Sequence, residues 1–216
     1  MMKFNFNEFL NNEKEKEYFK KLINLLNNEN RKIVPSKDKW FNAFDMDFNE
    51  LKVVIIGQDP YFLPNVADGM AFSTESIKTP VSLRNIFKEI KNSYPNVSLK
   101  TNNLNYWKQQ GILLINTTLT TVENLALAHK DWGWETFVSN ALESINQHNE
   151  NIVYILLGKK AMDFVKNMDL QKQHILSTSH PSGLSAYRGF IGSNIFKKTN
   201  DYLLSINKKE IDWSTK

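Results

Sequence analysis

Val53-Val54-Ile55-Ile56-Gly57-Gln58-Asp59-Pro60-Tyr61 decides the fold. Four consecutive β-branched residues with no polar alternation predict a strand covered on both faces. The run then stops at a glycine and a polar turn. Three more runs follow the same plan. Ile112-Leu113-Leu114-Ile115 leads into Asn116-Thr117, Ile152 to Leu157 into Gly158-Lys159-Lys160, and His174-Ile175-Leu176-Ser177 into Ser179-His180-Pro181-Ser182. Helix-capable stretches separate the runs: Ser82 to Ser93, Trp134 to His148 and Lys160 to Met168. Strands alternating with helices predict the α/β class, here a central four-stranded parallel sheet flanked by helices. No repeat, linker or charge block marks a boundary, so residues 1–216 are expected to form a single domain. Its N-terminal part, residues 1–40, is a helical segment packing on the rest. Within it Phe9, Leu10, Phe19, Leu22, Ile23, Leu25 and Leu26 give residues 8–28 a helical spacing. Pro35 to Phe48 predicts a loop or short helix.

In open parallel sheets, ligands bind outside the carboxyl ends of the strands. All four runs therefore bring polar groups to one rim. Composition narrows the chemistry that the rim can do. The chain has 216 residues, 41% hydrophobic and 23% charged, within the range of an ordinary globular protein. Without cysteine it has no disulfide framework, no thiolate metal site and no cysteine nucleophile. His129, His148 and His174 show no metal-ligand spacing with His180. The start is rich in Asn, Glu and Lys, and no apolar run approaches the length of a membrane span. A soluble, cytoplasmic monomer is expected. The net charge of +4 permits an anionic partner. Asn, Lys and Ile are plentiful throughout, so the lysine excess is discounted as a DNA signal.

Two segments are distinctive. Gly57-Gln58-Asp59-Pro60-Tyr61-Phe62 resembles the water-activating loop of the family-1 uracil-DNA glycosylases, usually GQDPYH. His180-Pro181-Ser182-Gly183-Leu184-Ser185-Ala186-Tyr187-Arg188-Gly189-Phe190 resembles their DNA-intercalation loop, usually HPSPLSAxRGF. Gly69 to Ser73, Leu113 to Thr117 and Gly133 to Phe137 are also similar to family segments and occur in family order. The resemblance spans roughly Lys39 to Trp213. It implies an enzyme that flips uracil out of single- or double-stranded DNA and hydrolyses its bond to the sugar, without metal or cofactor. A proteinaceous glycosylase inhibitor is a possible further partner.

The same resemblance assigns roles. Asp59 steadies the sugar cation and orients water, although an Asp ahead of Pro60 is on its own a common turn residue. His180 donates a hydrogen bond to a uracil oxygen as negative charge develops. Gln58 joins the substrate site. Asn116 offers one acceptor and one donor to uracil, a pattern that cytosine reverses. Tyr61 fills the space of a 5-methyl group, and Phe72 stacks on the base. On the DNA side, Leu184 wedges into the stack. Ser82, Ser182 and Ser185 contact phosphates, and Lys159 adds a charge where the family has serine. Arg188 either contacts a phosphate or braces its loop. Phe62 for histidine and Gly183 for proline depart from the family pattern. A DNA-binding scaffold without turnover is the competing reading; the presence of Asp59 and His180 argues against it.

Overall fold

The structure is a computed structural model and describes residues 4–216. Its helices are α1 (Phe6–Lys14), α2 (Glu17–Asn27), α3 (Val81–Ser93), α4 (Asn105–Lys108), α5 (Trp134–His148), α6 (Lys159–Val165) and α7 (Ile195–Ser205). The strands are β1 (Ile33–Val34), β2 (Val53–Gly57), β3 (Ile112–Asn116), β4 (Thr121–Val122), β5 (Val153–Leu157) and β6 (His174–Thr178). The four long strands form one parallel sheet in the order β3-β2-β5-β6, as expected. β1 and β4 form a separate antiparallel pair.

Strands β2, β3 and β5 are buried along their whole length, which explains their unbroken apolar sequences. β3 stands at a sheet edge, yet Ala71 N–H donates to Leu114 O (3.0 Å) and closes part of that edge. β6 differs from the expectation of full cover. It is the other edge strand, and its residues alternate between half-buried and exposed, with Ile175 among the exposed.

The helical spacing over 8–28 resolves into two helices rather than one. The break falls at Glu15 and Lys16. Buried Glu13 accepts from Lys16 Nζ (2.6 Å), from Asn140 Nδ2 (3.0 Å) and from the Tyr18 hydroxyl. That carboxylate ties the end of α1 to the start of α2 and to α5. The Pro35 to Phe48 segment holds two short 3₁₀ turns, and a third starts at Phe48. α6 ends at Val165, short of the expected Met168.

Phe9, Phe19, Trp40, Phe41 and Phe44 pack on Trp134 and Phe137 of α5, and Phe6 stacks on Phe44, which joins the N-terminal segment to the main core. Trp107, Phe196 and Trp213 form a second aromatic cluster. Among the described residues, no helix is long and apolar enough to cross a membrane.

Candidate active site

The carboxyl ends of β2 and β3 are in register, with Gly57 beside Asn116. Glycine is needed there for space. A Cβ at position 57 would stand 2.2 Å from Asn116 Oδ1 and 2.9 Å from Ala71 Cβ. At the end of β5, Gly158 has φ +90°, and a Cβ there would lie 2.7 Å from His180 Cβ. Small residues at two strand ends thus let the side chains of the next strands close in on a common space. That space is a cavity of about 190 Å³ lined by Gln58, Asp59, Tyr61, Phe72, Ser82, Asn116 and His180, among others.

Asp59 enters from the turn after β2. Its Oδ2 accepts the Leu127 amide (3.0 Å). Burial pushes its carboxyl above the ordinary range, and that amide opposes the shift. Leu127 has φ +59°, a conformation costly for leucine, which aims its N–H at the carboxylate.

His180 follows β6. Its Nδ1 accepts the Ser182 amide (3.0 Å), so the proton of the neutral ring belongs on Nε2. Burial lowers its pKa and favours that neutral form. The ring is a donor that needs no positive charge.

Asn116 is 6% exposed, and its amide makes no hydrogen bond among the described residues. A buried, unpaired amide facing a cavity has room for a polar ligand with one donor and one acceptor. Tyr61 is held by its hydroxyl, which donates to Phe72 O (3.2 Å). Phe72 has φ +64°, and its ring lies 6.0 Å from that of His180. The Phe72 loop is clamped by buried Asp68, which accepts Ser73 Oγ (2.5 Å) and the Met70 amide (3.1 Å).

The expected DNA-side residues fall on the loop after β6, in the cavity wall and in an adjoining groove. Leu184 is 89% exposed at the tip of the loop after β6. Ser182 and Ser185 are bonded to each other (2.8 Å), and Ser185 Oγ donates to His180 O (2.8 Å). Both hydroxyl protons therefore serve the loop, and either serine must turn to donate to a phosphate. Asn85 of α3 holds Pro181 O (2.8 Å). Ser82 sits in the cavity wall. Lys159 lines an adjoining groove of about 440 Å³ with Lys130 and Lys160. Arg188 is exposed.

Sequence reasoning missed the Leu127 amide, Asp68 and a buried hub around His129. In that hub Thr120 Oγ1 bonds His129 Nδ1 (2.8 Å) and accepts Trp134 Nε1 (2.6 Å). Only the Asp68-Gly69 turn carried a local signal. Among the described residues no cluster of three or more His, Asp or Glu is disposed to hold a metal.

A family model described as the uracil DNA glycosylase superfamily matches residues 45–204. The chain is 49% identical to a uracil-DNA glycosylase of Mycoplasmopsis pulmonis over 210 residues, 95% of each chain. It is 46% identical to one of Borreliella burgdorferi over 212 residues, again 95% of each. The mimivirus uracil-DNA glycosylase crystal structure matches with TM-score 0.90 at 28% identity, covering 97% of this chain and 86% of that one. A mimivirus Y322F variant in complex with UGI matches with TM-score 0.91 at 27% identity, covering 100% and 89%. With the family model spanning most of its length and relatives of that identity end to end, the chain belongs to the uracil DNA glycosylase superfamily.

Proposed function

We propose that this chain excises uracil from DNA by hydrolysing its glycosidic bond. The observation that carries the reading is the meeting of three groups in one narrow cavity: the Asp59 carboxylate, a neutral histidine donor and the unpaired Asn116 amide. The base leaves the stack and enters the cavity, while Leu184 fills the gap in the DNA. Asn116 pairs with O4 and N3–H of uracil, and Phe72 stacks on the ring. The fixed Tyr61 ring occupies the place of a 5-methyl group and rejects thymine.

As the bond between C1′ and N1 breaks, its electron pair goes to uracil. His180 Nε2–H donates to a uracil carbonyl oxygen and stabilises that anion. Asp59 faces the cationic sugar and orients a water, whose oxygen bonds to C1′ and whose proton is lost through the carboxylate. Gln58 borders the same cavity and contributes to substrate binding. The cavity wall holds no lysine among the described residues, so a Schiff base has no nucleophile and the abasic strand stays intact.

Ser82, Ser182, Ser185, Lys159 and Arg188 are proposed to bind the flanking strand. Because similar solved chains are complexes with UGI, a protein inhibitor is a proposed partner. A chain without cysteine suits a reducing compartment, and the cytoplasm is the proposed location.

The test is a single-uracil oligonucleotide incubated with pure protein in EDTA and then treated with alkali. Wild type should give cleavage that needs the alkali, with none on a thymine control. Asp59→Asn should lose activity by about a hundredfold or more, the scale of a positioned acid–base group. No product from a folded, DNA-binding wild type would overturn the proposal in favour of the scaffold.

A further inference from the structure

The loop that carries Asp59 is joined to the segment after β4. Asn124 N–H donates to Phe62 O (2.7 Å), and Leu127 N–H donates to Asp59 Oδ2 (3.0 Å). Leu125 N–H closes the turn on Val122 O (2.9 Å). Four large apolar side chains on these paired segments are exposed: Phe62 38%, Leu63 53%, Leu125 44% and Leu127 38%. Phe62 belongs to the cavity wall, and Leu127 to the wall of the adjoining groove.

Single exposed leucines need no explanation, but four on two bonded segments beside a nucleic-acid site do. Two of the cations nearby already have partners, while Lys159 and Lys160 border the groove that Leu127 lines. Lys32 lies 2.6 Å from Glu123, and Lys130 lies 3.5 Å from Asp131. The cavity wall that Phe62 belongs to carries no lysine or arginine among the described residues, so at Phe62 a phosphate finds little positive charge. An aromatic ring flanked by leucines instead suits the face of a nucleobase, which every base presents.

We propose that Phe62, with Leu63, Leu125 and Leu127, forms an apolar shelf for an unpaired base next to the flipped uracil, and that Phe62 thereby biases this chain towards single-stranded DNA. In a duplex the neighbouring base is already stacked and paired, and reaching the shelf means giving that up. In a single strand the base is free to settle there. The inference rests on the uracil-excising reading of the same site.

The experiment measures kcat/KM for one uracil in a single strand and in the matching duplex. The proteins are wild type, Phe62→Ala, Phe62→Trp and, as a remote exposed control on α7, Leu204→Gln. A 2-aminopurine beside the uracil reports stacking through its fluorescence. Loss of one stacked base should lower the single-strand to duplex ratio about tenfold in Phe62→Ala. The 2-aminopurine quenching of the single strand should weaken with it. Phe62→Trp should keep both, and Leu204→Gln should match wild type. An unmoved or raised ratio in Phe62→Ala would overturn the shelf, as would equal changes in the Ala and Trp variants. A wild type inactive on both substrates would instead overturn the uracil reading.

Discussion

Asp59 and His180 are shifted in opposite directions by the same cause. Burial disfavours charge, so the carboxyl rises from its usual 3.8 and the imidazole falls from its usual 6.5. The proposed mechanism needs Asp59 ionised and His180 neutral, and both conditions fail as pH falls. The acid limb of kcat/KM should therefore lie above 3.8, the ordinary value from which the Asp59 carboxyl rises. An acid limb centred below 3.8 would contradict the burial of Asp59. The same shift has a consequence for stability. A carboxyl raised in the fold binds protons more tightly there than in the unfolded chain, so its charged form opposes folding above its folded pKa. Asp59→Asn removes that charge and can still accept the Leu127 amide. It should melt at a higher temperature than wild type at pH 7 while losing activity, a trade common at active sites. A lower melting temperature at pH 7 would show that the Leu127 bond outweighs desolvation.

At the scale of elements, the strand ends set the geometry and their glycines make it possible. Gly57→Ala places a methyl 2.2 Å from Asn116 Oδ1 in a fully buried strand with nowhere to retreat. Overpacking of this kind costs about 1–3 kcal/mol of stability. The Asn116 amide should be pushed off its line to uracil, so KM should rise well beyond what the loss of stability explains. Steady-state kinetics on a folded variant with unchanged KM would refute that. The loop after β6 invites the opposite change. Gly183 is exposed, lies outside the left-handed region, and would place a Cβ 3.5 Å from Val81 Cγ1, an ordinary contact. Gly183→Pro should hold the Leu184 tip ready and tighten binding to a uracil-containing duplex, read as Kd; unchanged or weaker binding would count against it. These elements were legible because buried parallel strands are written as unbroken apolar runs that end in polar residues. Asp59 and Asn116 follow two such runs, His180 follows the part-exposed edge strand β6, and the structure brings all three to one cavity. The rest left no pattern. β1 and β4 are two residues each, too short for a period. The Leu127 contact uses a backbone N–H, which nearly every residue type carries, and the left-handed backbone at Phe72 and Leu127 has no glycine or asparagine to announce it.

Across the whole molecule, the N-terminal helices are bound to the site by a continuous chain of contacts. Phe19, Leu22 and Leu26 of α2 are each at most 3% exposed, and Phe19 meets both Trp134 and Phe137 of α5. Trp134 donates to Thr120, Thr120 bonds His129, and His129 Nε2 faces Glu29 just beyond α2 at 3.8 Å. His129 stands two residues from the amide that holds Asp59. The sequence showed the apolar spacing of these helices but not this bridge, because its members are distant in the chain. If the helices are part of one cooperative unit, damage within them must be felt everywhere. Leu22→Ala removes a fully buried side chain and should cost about 2–5 kcal/mol. Tm should fall by about 2–4 °C per kcal/mol for a chain of this size. Far-UV circular dichroism and tryptophan fluorescence should follow one shared transition, and uracil excision per folded molecule should be retained at 25 °C, since no cavity residue is touched. If the variant instead showed an early partial transition followed by melting at the wild-type temperature, with excision surviving between the two, the N-terminal helices would be a separable attachment rather than part of the domain.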